Sequence, residues 1–304
     1  MVQAEHSLVF LHIPKTGGTT LESVLLDQYG QEHSLRLDLA AVNDAEGARR
    51  ARALLEDGRR YKLISGHFTM GLGVHELLNV PCTYVTMLRD PIERVISDFY
   101  FILHTPEHIF HERIVRERMS LEDYLNSDLS DGTDNYQVRC LCSRPPDAQD
   151  GNWDCTEQTL TSAKDNLKKY FKVVGFLEHF DESLLLMRLH FGWKLPLYVR
   201  ENTTKNRPRT PQVTEQIKSK IRNRNRYDLE LYDHALLLYK QQLRTLRSGR
   251  FERQLNQYKF LNRWYGRTID KNYHHRSRAS RLRAFLLSRA WVALLGVERL
   301  VYRL

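Results

Sequence analysis

Residues 8–26, LVFLHIPKTGGTTLESVLL, constrain the fold more than any other stretch of the chain. An apolar, β-rich run from Leu8 to Ile13 stops at Pro14. A short loop then carries one lysine, two glycines and a row of hydroxyls, and a helical pattern opens behind it. A strand that turns through glycine into a helix is the arrangement of a phosphate cradle. Gly17 and Gly18 permit backbone angles and close approaches that a Cβ forbids, so successive N–H groups can turn toward one anion. The helix beyond Thr19 and Thr20 adds unpaired donors and the positive end of its dipole. Lys15 adds a full charge, and Thr16, Thr19 and Thr20 add hydroxyls. Taken alone, an ordinary strand-to-helix turn with a solvated lysine accounts for the segment equally well.

The order of residues is informative. In GxxxxGK[ST] the lysine follows the glycines, whereas Lys15 precedes Gly17 and Gly18. A lysine at the loop entrance can sit beside the bridging oxygen of a phosphosulfate and meet the charge that builds there as a sulfuryl group departs. A second segment, YVTMLRDPIERVISDFYFIL over residues 84–103, supports an anion site. Tyr84 to Leu88 read as a buried strand, Asp90 as an N-cap and Pro91 as the first helical residue. Ile92, Val95, Ile96, Phe99 and Leu103 form the apolar face of the helix that follows. Arg89 then lies at the carboxyl end of the strand, where open α/β sheets bind ligands. Ser97 lies about two turns into the helix. Together they can hold a second phosphate through a forked guanidinium and a hydroxyl. On its own this segment also fits a helix-terminal ion pair and a tolerated helical serine.

The two segments together resemble those of the P-loop sulfotransferases that use 3′-phosphoadenosine 5′-phosphosulfate (PAPS). HIPKTGGTT is similar to the family's 5′-phosphosulfate loop and LRDPIERVISDFYF to its 3′-phosphate segment, and the likeness points to the carbohydrate branch that includes heparan and uronyl 2-O-sulfotransferases. It spans residues 6–245 and is dense only at these motifs. The resemblance implies that Lys15, Thr16, Gly17, Gly18, Thr19 and Thr20 hold the 5′-phosphosulfate, with Arg89 and Ser97 on the 3′-phosphate. It also implies that 3′,5′-adenosine bisphosphate (PAP) is the product. Acceptor identity does not follow from it.

A third segment, YKLISGHFTMGLG over residues 61–73, gives another buried strand, Tyr61 to Ser65, with Gly66 and His67 at its carboxyl end. An imidazole there can take the proton of an attacking alcohol, since its ordinary pKa is near 6.5. The resembling 2-O-sulfotransferases place a Gly-His here as the base, so His67 is the candidate catalytic base and Lys15 the group beside the leaving oxygen. A histidine bonded to a loop carbonyl is the alternative. His12 ranks second, because strand alternation aims it away from the neighbours of Lys15. No metal is expected: a sulfuryl group carries less charge than a terminal phosphate, and no acidic strand end suits a Mg²⁺ clamp.

The chain has 304 residues and a net charge of +9, enough for one large α/β domain with a basic surface. Such a surface suits a nucleotide with two phosphate sites and an acidic carbohydrate or glycan acceptor. There is no internal repeat, RNA-binding aromatic signature or zinc-like cysteine spacing, and nucleic acid is not expected as a partner. The rival functions are a P-loop small-metabolite kinase and a silent basic adaptor for membrane or nucleic acid.

Strands over 8–13, 61–65, 84–88 and 172–176, alternating with helices, predict a three-layer α/β/α P-loop NTPase-like domain over residues 1–250 with a mostly parallel sheet. Helices are expected over 40–60, 107–127 and 226–247. The second should bury Leu121, Tyr124 and Leu125, and the third Leu229, Tyr232, Leu236, Tyr239 and Leu243. Gln137 and Arg139 are candidate acceptor contacts, with structural hydrogen bonding as the alternative for each. In the basic loop 201–211, Thr203 and Lys205 are candidate nucleotide contacts. Cys82, Cys140, Cys142 and Cys155 are expected as free thiols, although the resemblance makes a Cys142–Cys155 disulfide conceivable. Residues 251–304 read as a basic, helical extension. Its apolar positions Phe285, Leu286, Trp291 and Leu294 are flanked by arginines, which suits contact of residues 270–304 with an anionic membrane surface or packing on protein. Met1 stands a few residues before the first strand, so no signal peptide or N-terminal anchor is expected, and the expected location is cytoplasmic.

Overall fold

The computed structural model describes residues 6–38, 45–56, 59–78, 80–127, 129–143, 153–200, 213–246 and 249–273. Five strands form one sheet: β1 (Ser7–Leu11), β2 (Ser34–Asp38), β3 (Leu63–His67), β4 (Cys82–Leu88) and β5 (Phe171–Phe176). Their order across the sheet is β2-β3-β1-β4-β5, and every pairing is parallel. β1 is central and entirely buried. Its Val9, Phe10 and Leu11 each contribute roughly 1.5–3 kcal/mol by leaving water.

Helices α1 (Gly18–Tyr29), α2 (Ala45–Leu55), α3 (Val74–Leu77) and α4 (Pro91–Leu103) follow the first four strands in turn. Crossing from β1 to β2 runs one way along the sheet and every later crossing runs the other way. Right-handed connections therefore place helices on both faces, giving three layers. Between β4 and β5 lie α5 (His111–Arg116), α6 (Leu121–Asn126), α7 (Tyr136–Leu141) and α8 (Glu157–Tyr170). After β5 come α9 (Phe180–Phe191), α10 (Glu215–Arg224), α11 (Arg226–Leu246) and α12 (Gly249–Tyr273).

Three elements differ from expectation. β2, sequence SLRLD, was not foreseen: it is a short edge strand with Leu37 buried and Arg36 facing outward. The helix expected over 107–127 is two helices. Arg118 adopts a left-handed φ of 48°, and Ser120 starts α6 with a capping box shared with Asp123. Leu121, Tyr124 and Leu125 are nonetheless its buried side. The buried stripe of α11 runs through Tyr227, Asp228, Leu231, Ala235, Tyr239 and Leu243, so Leu229, Tyr232 and Leu236 flank it as half-buried residues.

The α4 residues Val95, Ile96 and Phe99 join Tyr124, Leu125 and Ile221 in a second apolar cluster beside the main core. From the segment beyond residue 250, Phe251, Leu255 and Tyr258 are buried in the main core. The basic loop with Thr203 and Lys205 lies outside the described residues, as do residues 274–304. No described helix is long and apolar enough to cross a membrane.

Candidate active site

At the carboxyl edge of the sheet, Leu11 of β1 stands opposite Gly66 of β3 and Thr86 of β4. The Thr86 hydroxyl donates to the Leu11 carbonyl at 2.8 Å and locks the two strands there. Three adjacent strands thus deliver the 14–18 turn, His67 and Arg89 to one place. The Arg89 Nη1 donates to the Lys15 carbonyl at 3.0 Å, so the two candidate anion-binding segments are in direct contact.

The turn itself is shaped for an anion. Gly17 has φ +84° and forms the N-cap of α1, where among the described residues no side chain caps the helix and no carboxylate lies in its first turn. Lys15 also lies in the left-handed region, φ 68°, an uncommon conformation for a residue with a side chain. Its Nζ rests 3.6 Å from the centroid of the Phe101 ring. Burial holds the Lys15 pKa down to about 8. Asp98 opposes that shift, while Arg89 and Arg94 reinforce it. Thr19 and Thr20 occupy the first turn of α1, with Thr20 buried. Thr16 behaves differently from expectation: its buried hydroxyl donates to the Ile13 carbonyl at 2.8 Å and closes the turn, so that proton is not directed at a ligand.

His67 is bonded to a loop carbonyl, and the tautomer this assigns suits a base. Its Nδ1 lies 2.9 Å from the His12 carbonyl, which can only accept, so Nδ1 carries the proton and Nε2 keeps its lone pair. His12 supports the same ring from the side, with centroids 4.2 Å apart, and its other face stacks on Phe10. Burial first, then the charges of His67, Arg36 and Lys15, drive the His12 pKa down to about 2, which leaves it a neutral wall and a weak base.

His12 also explains Gly18. A Cβ at residue 18 would lie 2.0 Å from His12 Cδ2, and the imidazole is held between Phe10 and His67. Gly18→Ala is therefore expected to cost about 1–3 kcal/mol by overpacking. Chemical denaturation measures this; an unchanged midpoint would show that His12 has room to yield.

Asp90 and Pro91 begin α4 as expected, with the Asp90 carboxylate accepting from the Glu93 N–H at 2.9 Å. Ser97 is buried on α4, and Arg89 Nη2 lies 3.7 Å from Glu93. Gln137 and Arg139 are each tied into hydrogen bonds within the protein, the alternative given for both. Gln137 binds the Arg89 backbone, while Arg139 is tied to Asp134 and to the Trp153 carbonyl. Asp98 and Phe101 were missed. Their signal was present, since Arg94, Ser97, Asp98 and Phe101 form a non-aliphatic stripe at helical spacing opposite the apolar face of α4. All four cysteines are free thiols, and burial raises the Cys142 thiol to about 12.

The family model for galactose-3-O-sulfotransferase matches residues 2–288. Human galactosylceramide sulfotransferase is 26% identical over 249 residues, covering 76% of this chain and 56% of the relative. Human galactose-3-O-sulfotransferase 2 is 23% identical over 245 residues, covering 75% of this chain and 58% of the relative. Chicken heparan-sulfate 6-O-sulfotransferase 2 is 25% identical over 297 residues, covering 81% and 70%. The chain thus spans little more than half the length of the first two. These relatives are named as carbohydrate or glycolipid sulfotransferases, and the branch that the family model matches is the galactose-3-O one. With a match that runs from before β1 to beyond α12, the chain belongs to the galactose-3-O-sulfotransferase family.

Proposed function

We propose that this protein moves a sulfuryl group from PAPS to a hydroxyl of a carbohydrate acceptor, with galactose-terminated glycans or glycolipids the first class to test. The observation that carries this is the 3.0 Å hydrogen bond from Arg89 to Lys15, which brings both anion segments within the span of one nucleotide. The donor fits the residues present: a helix N-terminus that no described side chain caps, a glycine turn and two cationic side chains converge at one sheet edge. When bound, PAPS supplies an activated sulfuryl group.

The Gly17–Thr20 turn and Lys15 hold the 5′ end, and Arg89 with Ser97 holds the 3′-phosphate. His67 Nε2 takes the proton of the acceptor hydroxyl as the new O–S bond forms, and the bond from sulfur to the bridging oxygen breaks. The Lys15 ammonium meets the charge left on that oxygen. PAP and a sulfate ester leave, with the proton on His67. Most of the rate enhancement comes from positioning and charge complementarity.

Transfer of labelled sulfate from PAPS to galactose-terminated and heparan-type acceptors tests the assignment, with Mg-ATP as the control for kinase chemistry. Transfer to a carbohydrate, together with tighter binding of PAP than of ATP, is the expected result. ATP turnover with no saturable PAP binding would overturn it.

A further inference from the structure

Arg89 occupies an awkward place in the chain. β4 ends at Leu88 and α4 is capped by Asp90, so the peptide groups of Arg89 lie between sheet and helix. One side chain serves both. Gln137 Oε1 accepts from the Arg89 N–H at 3.1 Å, and Gln137 Nε2 donates to the Arg89 carbonyl at 3.0 Å. The carboxamide is only 1% exposed, so water does not compete for these bonds.

Gln137 is itself fixed by a second junction. Its N–H and that of Val138 donate to the two oxygens of Asp228, at 3.1 and 2.8 Å, so an α11 carboxylate caps α7. In return, Asn135 Oδ1 accepts from the N–H groups of Tyr227 and Asp228 at 2.9 and 3.1 Å, so a residue preceding α7 caps α11. Asn225 Oδ1 accepts from the Asn135 N–H at 3.1 Å and closes the unit. The amino ends of α7 and α11 thus cap one another, and the fixed Gln137 holds Arg89.

We infer that Gln137 is a positioning residue that sets the pocket's selectivity for a 3′-phosphorylated nucleotide, acting through the backbone of Arg89; this rests on the donor assignment proposed above. A forked guanidinium discriminates only when its aim is set before the ligand arrives. The Arg89 side chain is steadied at its far end by the Lys15 carbonyl and at its root by Gln137. Neither Gln137 nor Asp228 need touch the nucleotide.

The test compares calorimetric affinities for PAP and for AMP, which lacks the 3′-phosphate. Gln137→Leu removes both bonds and is expected to lower the PAP-to-AMP affinity ratio about tenfold, with AMP binding little changed. Arg89→Ala should lower the ratio further, and Gln137→Leu added to Arg89→Ala should change nothing more. Should the leucine variant fail to fold, Gln137→Glu keeps the acceptor for the Arg89 N–H, sets an anionic oxygen against its carbonyl, and should also lower the ratio. Equal losses for PAP and AMP, or a further loss of ratio in the Arg89→Ala background, would overturn the inference. An unchanged ratio in Arg89→Ala would overturn it by removing Arg89 from the phosphate site, whereas absence of PAP binding by the parent protein would show that the donor assignment had failed first.

Discussion

Replacing His67 with alanine is expected to slow sulfate transfer by roughly 10²–10⁴-fold, the usual contribution of a positioned general base, while PAP binds almost as before. The expectation follows from the ring's bonding. Nδ1–H is committed to the His12 carbonyl, so the lone pair is on Nε2, and the neighbouring His12 ring is too weak a base to substitute. Single-turnover rates with saturating PAPS separate chemistry from binding. A variant that transfers sulfate within about threefold of the parent, well short of the factor a general base supplies, would remove His67 from the reaction.

Lys15→Ala is expected to cost roughly 10²–10³-fold in turnover, as does removal of a single charge-stabilising donor elsewhere. Burial, partly opposed by Asp98, lowers the Lys15 pKa to about 8, so the ammonium is present below that pH and is lost as pH rises through it. The kcat/KM profile, which reports free-enzyme groups, should therefore fall on the alkaline side near 8. In Lys15→Arg, whose charge does not titrate in this range, that fall should disappear even if the rate is lower. An alkaline fall that persists in the arginine variant would belong to another group.

The strands legible in the sequence are those buried on both faces. β1, β3, β4 and β5 read as apolar runs closed by turn residues, as parallel strands under helices do. SLRLD offers only Leu35 and Leu37 with an arginine between them, too little to mark an edge strand whose partner, β3, lies about 30 residues away. Caps were legible at Asp90 and Pro91 because their chemistry is local. The break at Arg118 was hidden by helix-forming residues on either side. Lys15, His67 and Arg89 are named as candidates from the family resemblance together with their places at or just beyond the carboxyl ends of strands, and strands in one parallel sheet end on one edge. The pairing of Gln137 with Arg89, and that of Phe101 with Lys15, were not legible in the same way. Each depends on a partner 48 or more residues away, and nothing in the local pattern names that partner.

The mutual capping of α7 and α11 bears on the order of events on the ribosome. Strands β1 to β4 and the glycine turn have all emerged once residue 88 is out. Arg89, by contrast, waits for Gln137, and Gln137 waits for an aspartate 91 residues later. Nascent chains are therefore expected to be poor traps for the nucleotide until α11 has emerged, which makes that helix the latch on the Arg89 side of the proposed site.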